Sequence, residues 1–481
     1  MMHIPKGNLM ATLANPYLSE NFAPVHQEIV ADNLTVIGEI PSELNGVFVR
    51  NGPNPQFSPK GNYHWFDGDG MLHSVWLRHG KGQYCNRYVR TKGFEIERIQ
   101  GDAVWSGMLE PPRMDNPHGP FKNTANTALI WHARRLLALW EGGEPHEIKA
   151  PSLETVGPYN YNSKLISAFT AHPKVDAITG EMMFFGYSLA APPYLKYSVV
   201  SANGELLRTV PIDLPIGVMM HDFAVTENYT VFMDLPLTFR PERLKRGEPA
   251  FAFEPDRPSR FGILPRHGDN SNIRWFEAPA CYVFHTLNAY EQGNEVVLIA
   301  CRMNTTNVLG LSDTLHHRES STNERDNASH LHCWRFNLAT GAVKEELLDD
   351  RPSDFPRFNE RFTGRQTQYG YTAHYTSSPG GEVPHFDGII KYDFVTGRSE
   401  THDFGQGRYG GEGVFAPRPS AVAEDDGWLL TFVYDTVEDR SELVVIDAQD
   451  IASKPVARLL IPQRVPYGFH GAWISSEWLA E

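Results

Sequence analysis

From about residue 41 onward the chain is written in short runs rich in Val, Ile, Tyr, Phe and Trp, each cut off by turn residues. Examples are Gly46-Val-Phe-Val-Arg50, Leu129-Ile-Trp131, Met182-Met-Phe-Phe185, Glu295-Val-Val-Leu-Ile299, Leu429-Leu-Thr-Phe-Val433 and Glu442-Leu-Val-Val-Ile446. Such runs read as strands, and long helical periodicity is scarce. One turn recurs between them: Asp176-Ala-Ile-Thr-Gly180, Asn337-Leu-Ala-Thr-Gly341 and Asp393-Phe-Val-Thr-Gly397, with Asn203-Gly204 as a shorter version. Asp or Asn opens the turn and Gly takes the positive-φ position that closes it. A chain of 481 residues exceeds what one ordinary core holds, yet no linker composition divides it. A pair of β-sandwiches would leave that missing linker unexplained. A propeller grows by adding four-stranded blades and needs no linker. The pattern therefore predicts an all-β propeller as a single domain over residues 41–481, preceded by an N-terminal arm at residues 1–40. Segments 107–123, 236–271 and 304–329 lack strand alternation and read as long loops capping one face of the β core.

Several function classes fall away. The formal net charge is −15 and no basic run occurs, so nucleic acid is not an expected partner. Anionic lipid is not expected to attract the chain either, and any peripheral membrane contact has to come from an apolar patch. No run of 18 apolar residues occurs. The stretch MMHIPKGNLMATLANPYLSE has no apolar signal-like segment. Cys85, Cys281, Cys301 and Cys333 are widely spaced and form no C-x-x-C pair, which points to a reducing compartment and a cytoplasmic protein. Walker, H-E-x-x-H and G-x-S-x-G motifs are missing. A formal G-x-G-x-x-G at Gly405, Gly407 and Gly410 leads into Gly411, Glu412 and an extended run rather than a helix, and reads as a loop.

Histidine is the informative residue type. There are 20, and His79, His118, His316, His317 and His402 sit in polar loops, where they are expected to be solvated. Four others follow apolar or aromatic approaches: Phe169-Thr-Ala-His172, Met219-Met-His221, Val283-Phe-His285 and Tyr467-Gly-Phe-His470. A buried imidazole must be hydrogen-bonded or coordinated. The first two separations, 49 and 64 residues, are close to one blade of sequence, so consecutive blades could each send one histidine to a common axis. Any one of these alone reads as a satisfied core histidine. Together they suggest a metal site, and imidazoles alone would suit zinc, copper, nickel or iron.

Further segments run in order along nearly the whole chain. They are Leu44-Asn-Gly-Val-Phe-Val-Arg-Asn-Gly-Pro-Asn54, His64-Trp-Phe-Asp-Gly-Asp-Gly-Met-Leu-His73, Asn123-Thr-Ala-Asn-Thr127, Leu139-Trp-Glu-Gly-Gly143, Ala171-His-Pro-Lys174 and His221-Asp-Phe223. They continue with Phe284-His-Thr-Leu-Asn-Ala-Tyr-Glu291, Asp354-Phe-Pro-Arg357, Gly411-Glu-Gly-Val-Phe-Ala-Pro-Arg418 and Gly468-Phe-His-Gly471. Taken together they resemble the carotenoid cleavage oxygenase family, which includes carotenoid dioxygenases, stilbene-cleaving enzymes and a retinoid isomerase branch. The resemblance implies a seven-bladed propeller, with long loops and short helices capping one face, and Fe(2+) on its axis bound by His172, His221, His285 and His470. It implies that Glu141, Asp354 and Glu412 stand behind three of these imidazoles. The chemistry agrees: four neutral imidazoles leave a divalent ion uncompensated, and a carboxylate accepting the distal ring N–H fixes the tautomer and supplies negative charge. Asp354 departs from the pattern, because the family more often has Glu before Phe-Pro-Arg. A side chain one methylene shorter is expected to reach its histidine less well, or through water. Thr127 matches a threonine that the family places beside an open coordination position.

The implied reaction is cleavage of an alkene C=C by O2 into two carbonyl products, with an apolar small molecule and O2 as partners. Stilbene- and phenylpropene-cleaving members carry a Lys immediately before the carboxylate, where this chain has Trp140. An indole cannot replace an ammonium holding a phenolic hydroxyl, so a carotenoid or apocarotenoid is the expected substrate and a stilbene or phenylpropene the alternative. Phe57, Trp65, Trp105 and Phe232 are candidates either for lining a substrate tunnel or for the core. A propeller hydrolase would need a cluster of Asp, Asn and Glu oxygens on the axis, and a non-catalytic propeller has no use for four histidines there.

Overall fold

In the computed structural model, residues 15–246, 250–306, 328–377 and 384–480 are described. Among them, seven antiparallel sheets form the blades of a propeller. Blade 1 runs outward from the axis as Gly471–Ser475, Gly46–Pro53, Gly70–Arg78, Lys81–Tyr88 and Val30–Ala31. Blade 2 is Ala128–His132 to Thr155–Pro158, blade 3 Lys174–Val175 to Leu206–Ile212, and blade 4 Ala224–Val225 to Arg274–Ala278. Blade 5 is Tyr282–Gln292 to Val343–Leu347 and blade 6 Ser353–Arg357 to Arg398–Asp403. Blade 7 starts at Val414–Pro417, continues through Gly427–Asp435, Arg440–Asp447 and Ala457–Leu460, and ends on Thr35–Gly38.

The ring is closed twice. The late strand Gly471–Ser475 pairs with Gly46–Pro53 and becomes the innermost strand of blade 1. From the segment expected to be an arm, Thr35–Gly38 adds an outer strand to blade 7 and Val30–Ala31 one to blade 1. These few residues alternate with the neighbouring edge and satisfy backbone groups that would otherwise be left open.

The two-residue period of a strand builds the core. In Gly46–Pro53, Val47 and Val49 face a cluster shared with blade 2, while Phe48 faces one shared with blade 7. In Met182–Tyr187, Met182 and Phe184 face blade 2, and Met183 and Phe185 face blade 4. Each neighbouring pair of blades encloses such a cluster. Both faces of each sheet are therefore buried, which is why the strand runs are almost continuously apolar. Each fully buried Phe or Leu contributes about 1.5–3 kcal/mol.

The recurrent turns share one geometry. Asp176, Asn337 and Asp393 each accept two backbone N–H groups through Oδ1, and Gly180, Gly341 and Gly397 hold φ of 69°, 79° and 69°. A further copy, Asp435 to Asp439, carries Asp439 at φ 46° in the glycine position and so escaped sequence recognition. Asp176 also accepts from Arg266 Nη1 at 2.6 Å and Arg365 Nη1 at 3.0 Å, joining blades 3, 4 and 6 at the end of the axis away from the histidines.

Segment 107–123 is a strand-free cap. Buried Lys122 anchors it to Asp69, just ahead of the strand Gly70–Arg78, and to Glu97 on the helix Lys92–Gln100, each at 2.5 Å. Segment 236–271 is not a loop. It holds the hairpin Leu237–Phe239/Phe251–Phe253 and the blade strand Ser259–Pro265. Its charges disguised it: Arg240 and Arg243 pair with Glu254, and Arg257 and Arg260 pair with Asp234. Most of 304–329, with His316 and His317, lies outside the described residues. His402 is buried rather than solvated, its Nδ1 2.6 Å from the Ile451 carbonyl. Gly405 and Gly407 hold φ of 98° and 72° in the connection between blades 6 and 7.

Candidate metal centre

The innermost strands begin at one rim, and every blade places one of the expected site residues just ahead of, or within the first residues of, its innermost strand. His470 precedes Gly471–Ser475, Thr127 precedes Ala128–His132, and His172 stands ahead of Lys174–Val175. His221 stands ahead of Ala224–Val225, and Glu412 ahead of Val414–Pro417. His285 lies inside Tyr282–Gln292, where the ladder shifts register on both sides of Thr286, and Asp354 lies in Ser353–Arg357.

The four histidines converge. One ring nitrogen from each lies within 4.8 Å of the others, and His172 Nε2 and His221 Nε2 are 3.0 Å apart. The rings meet edge to face, with centroids 4.6 Å apart for the His172–His221 and His172–His470 pairs. His285 Nε2 is buried with no protein partner. An orphaned imidazole nitrogen facing three others fits a divalent transition metal. Burial, reinforced by the neighbouring imidazoles, pushes His172 well below the ordinary histidine pKa. Burial also holds His470 down, to about 4, against the pull of Glu412. For His221 burial acts downward too, but Glu141 outweighs it and raises the value.

The expected carboxylates stand against the distal nitrogens. Glu141 Oε2 is 2.5 Å from His221 Nδ1, Asp354 Oδ1 2.8 Å from His285 Nδ1, and Glu412 Oε2 3.0 Å from His470 Nδ1. Asp354 thus touches its imidazole directly, where its shorter side chain led to the expectation of a poorer reach. The backbone supplies the missing length: the ladder slips between Asp354 and Arg357, and Phe355 holds φ 50°. Each carboxylate is itself held. Tyr187 donates its hydroxyl to Glu141 Oε1 at 2.5 Å, Phe355 N–H donates to Asp354 Oδ1 at 2.8 Å, and Gly471 N–H donates to Glu412. Burial would raise Glu412, but Arg357 and His470 hold it below the ordinary carboxylate value. His172 has no carboxylate on its ring among the described residues. Thr127 is tied to the same rim: its carbonyl accepts from His470 N–H at 3.2 Å and its hydroxyl donates to Asn126 at 3.0 Å.

Aromatic rings wall the centre. Phe355 stacks on His285 at 5.0 Å and meets His470 edge-on, and Phe284 meets His221 at 5.3 Å. Phe355, Phe386 and Phe469 form one cluster with Trp65, Phe66 and Tyr375. Of the lining candidates, Trp65 belongs to this wall. Phe232 is core between blades 3 and 4, and Trp105 donates its indole N–H to Gly119 inside the cap. Phe57 is half-buried. Trp140, half-buried beside Glu141, lies over the next glycines; a Cβ on Gly142 would stand 2.4 Å from its ring.

Sequence reasoning missed Tyr187, Phe355, Lys174, Asp222 and Thr286. The last three sit one or two residues from a histidine inside the quoted segments.

The family model described as retinal pigment epithelial membrane protein matches residues 22–475. The carotenoid 9,10(9',10')-cleavage dioxygenase 1 of Arabidopsis thaliana is 41% identical, over 98% of this chain and 92% of that protein. The carotenoid cleavage oxygenase of Mycobacterium tuberculosis is 37% identical over 95% and 97%. Among solved structures, the lignostilbene dioxygenase of Pseudomonas brassicacearum superposes with a TM-score of 0.89 at 32% identity, covering 96% of this chain and 99% of that one.

Proposed function

Because the chain belongs to the family of the retinal pigment epithelial membrane protein and the carotenoid cleavage oxygenases, we propose that it is a dioxygenase that cleaves one C=C bond of a carotenoid or apocarotenoid with O2. Both oxygen atoms end in product: the double bond breaks and each carbon becomes a carbonyl carbon. The observation that carries this reading is the convergence of four imidazoles, with His285 Nε2 buried and unpartnered.

His172, His221, His285 and His470 would hold Fe(2+). When bound, the iron would supply the activation of O2 that closed-shell side chains cannot. The chain supplies the rest. Glu141, Asp354 and Glu412 accept the distal ring N–H groups, fixing each tautomer so that the other nitrogen keeps its lone pair inward. Burial holds His172 and His470 neutral. Phe355, Phe284 and the Trp65–Phe469 wall exclude water and offer an apolar surface to a polyene. Thr127, tied to His470 on the same rim, would limit the approach of O2 to the centre. Position alone then selects the bond that is cleaved.

Trp140 contacts substrate beside Glu141, where a phenol-binding lysine would serve a stilbene. We further infer a peripheral membrane contact, from which a membrane-dissolved substrate is drawn. Met108, Met114 and Phe121 on the cap are 42%, 78% and 69% exposed, and among the described residues no helix is long and apolar enough to cross a membrane. The four free, buried thiols accord with a cytoplasmic setting.

The test is iron content together with O2-dependent bleaching of an apocarotenal. Wild type is expected to hold about one iron per chain and to yield aldehydes. His285→Ala is expected to lose both. A wild-type chain that takes up no Fe(2+) under anaerobic reconstitution overturns the metal reading, and an iron-loaded chain that leaves the polyene intact overturns the substrate.

A further inference from the structure

Lys174, Asp222 and Thr286 lie beside three of the imidazoles, and nothing in the proposed chemistry uses them. Asp222 is 1% exposed, and four donors converge on its carboxylate. Oδ1 accepts from Phe223 N at 2.7 Å and from Lys174 Nζ at 2.8 Å. Oδ2 accepts from Thr286 N at 2.7 Å and Thr286 Oγ1 at 2.8 Å. The donors come from three sheets. Lys174 is two residues past His172 in blade 3, Phe223 two residues past His221 in blade 4, and Thr286 directly follows His285 in blade 5.

Blades meet each other through apolar side chains, which fix distance well but tolerate sliding by fractions of an ångström. A metal cage built from separate blades needs directional links between them. Asp222 supplies these links at the level of the ligands. The two register shifts flanking Thr286 turn its N–H out of the blade 5 ladder and toward Asp222. Thr286 Oγ1 also contacts the Phe223 carbonyl at 3.1 Å, and on the other side Thr170 Oγ1 reaches the His221 carbonyl at 3.5 Å and accepts from His172 N at 3.1 Å. Lys174 adds a second reason for the carboxylate. Its ammonium sits under a cage meant for a divalent cation, and an unneutralised positive charge there would oppose metal binding.

We propose that Asp222 is a positioning residue that locks three of the four metal-binding imidazoles into one geometry, with Lys174 as its counter-charge. This rests on the metal reading above. Asn in its place keeps the shape but loses the charge, and its NH2 group cannot accept from the donors it faces. The cage loosens and the Lys174 charge is exposed to the metal.

The test uses Co(2+) as a spectroscopic probe in the full chain. It compares wild type with Asp222→Asn, Thr286→Val, Lys174→Met and the Asp222→Asn/Lys174→Met double variant. Affinity, the ligand-field absorption bands and the melting midpoint of the metal-free protein are measured. Asp222→Asn is expected to bind Co(2+) about ten- to a hundredfold more weakly and to shift the bands, with a near-unchanged metal-free melting midpoint. Thr286→Val is expected to move in the same direction by less. The double variant is expected to regain part of the affinity but not the bands, which separates charge from geometry. Wild-type affinity and bands in Asp222→Asn would overturn the proposal. Should that variant not fold, the same result in Thr286→Val overturns it. A wild-type chain that takes up no Co(2+) fails at the metal reading instead, and is distinguished by that control.

Discussion

Phe355 holds a backbone conformation that a residue with a bulky ring rarely adopts, and strain of this kind persists only where surroundings enforce it. Here the kink carries Asp354 to His285 and lays the Phe355 ring over the same imidazole. Sequence indicated, through a motif shared with a family, that Asp354 stands behind one of the imidazoles; the structure makes it His285. That it does so directly was not legible, because the reach comes from the backbone rather than from side-chain length. The four histidines were legible from their apolar approaches. The residues that hold them were less so: Glu141 lies in blade 2, Tyr187 in blade 3 and His221 at the head of blade 4, and only the folded ring brings the three together. Trp140 offers a residue-scale prediction. The far edge of its ring occupies the space a Cβ on Gly142 would take, so Gly142→Ala must move the indole rather than the backbone. Chromatography of apocarotenal products is expected to show altered KM or bond selectivity in Gly142→Ala at unchanged iron content; unaltered kinetics would remove Trp140 from the substrate surface.

Elements were read best where both faces of a strand are buried, since such runs are apolar throughout. They were read worst where charge is consumed inside the fold. Ser259–Pro265 passed for loop because of its arginines, yet Phe261 and Ile263 fill the core between blades 4 and 5 while Arg260 is spent on Asp234. His402 misled in the same way: its polar neighbours are on a strand edge, but its own ring is pinned to Ile451. The repeated turn yields a clean prediction. Nothing lies within 4 Å of a Cβ placed on Gly341, so Gly341→Ala adds only backbone strain at φ 79°. It is expected to cost about 1–2 kcal/mol in urea unfolding. Gly186→Ala, by contrast, would drive a Cβ to 1.9 Å from the Ala168 carbonyl oxygen, and is expected to cost more and to disturb the chain leading into His172.

At the scale of the whole molecule, the strand period predicts blades but not how the circle closes, because the closing contacts join residues hundreds of positions apart. Asp176 makes a second kind of long-range link, between blades 3, 4 and 6, to residues 90 and 189 positions away. Burial alone would raise its pKa, but Arg266, the turn N–H groups and Arg365 bring it from 3.8 down to about 2. Its folded value is thus below its unfolded value, so its contribution to stability is present above about pH 4 and is lost as pH falls toward 2. Acid unfolding followed by tryptophan fluorescence is expected to show a steeper loss of stability between pH 4 and 2 in wild type than in a ring without this link to lose. Asp176→Asn should therefore be less stable at pH 7 and show less further loss between pH 4 and 2. Identical acid limbs would show that the link carries no stability.

The seam at blade 1 also sets an order in time. His470 and the strand Gly471–Ser475 are translated after the other three imidazoles and after six complete sheets. A nascent chain can assemble most of its blades on the ribosome and still present an open cage of three ligands. Metal loading in its final form therefore waits for this strand to join blade 1. A chain cut short before this last strand would carry most of a fold without the centre that gives it a purpose, leaving cellular proteases an unpaired inner edge by which to recognise it.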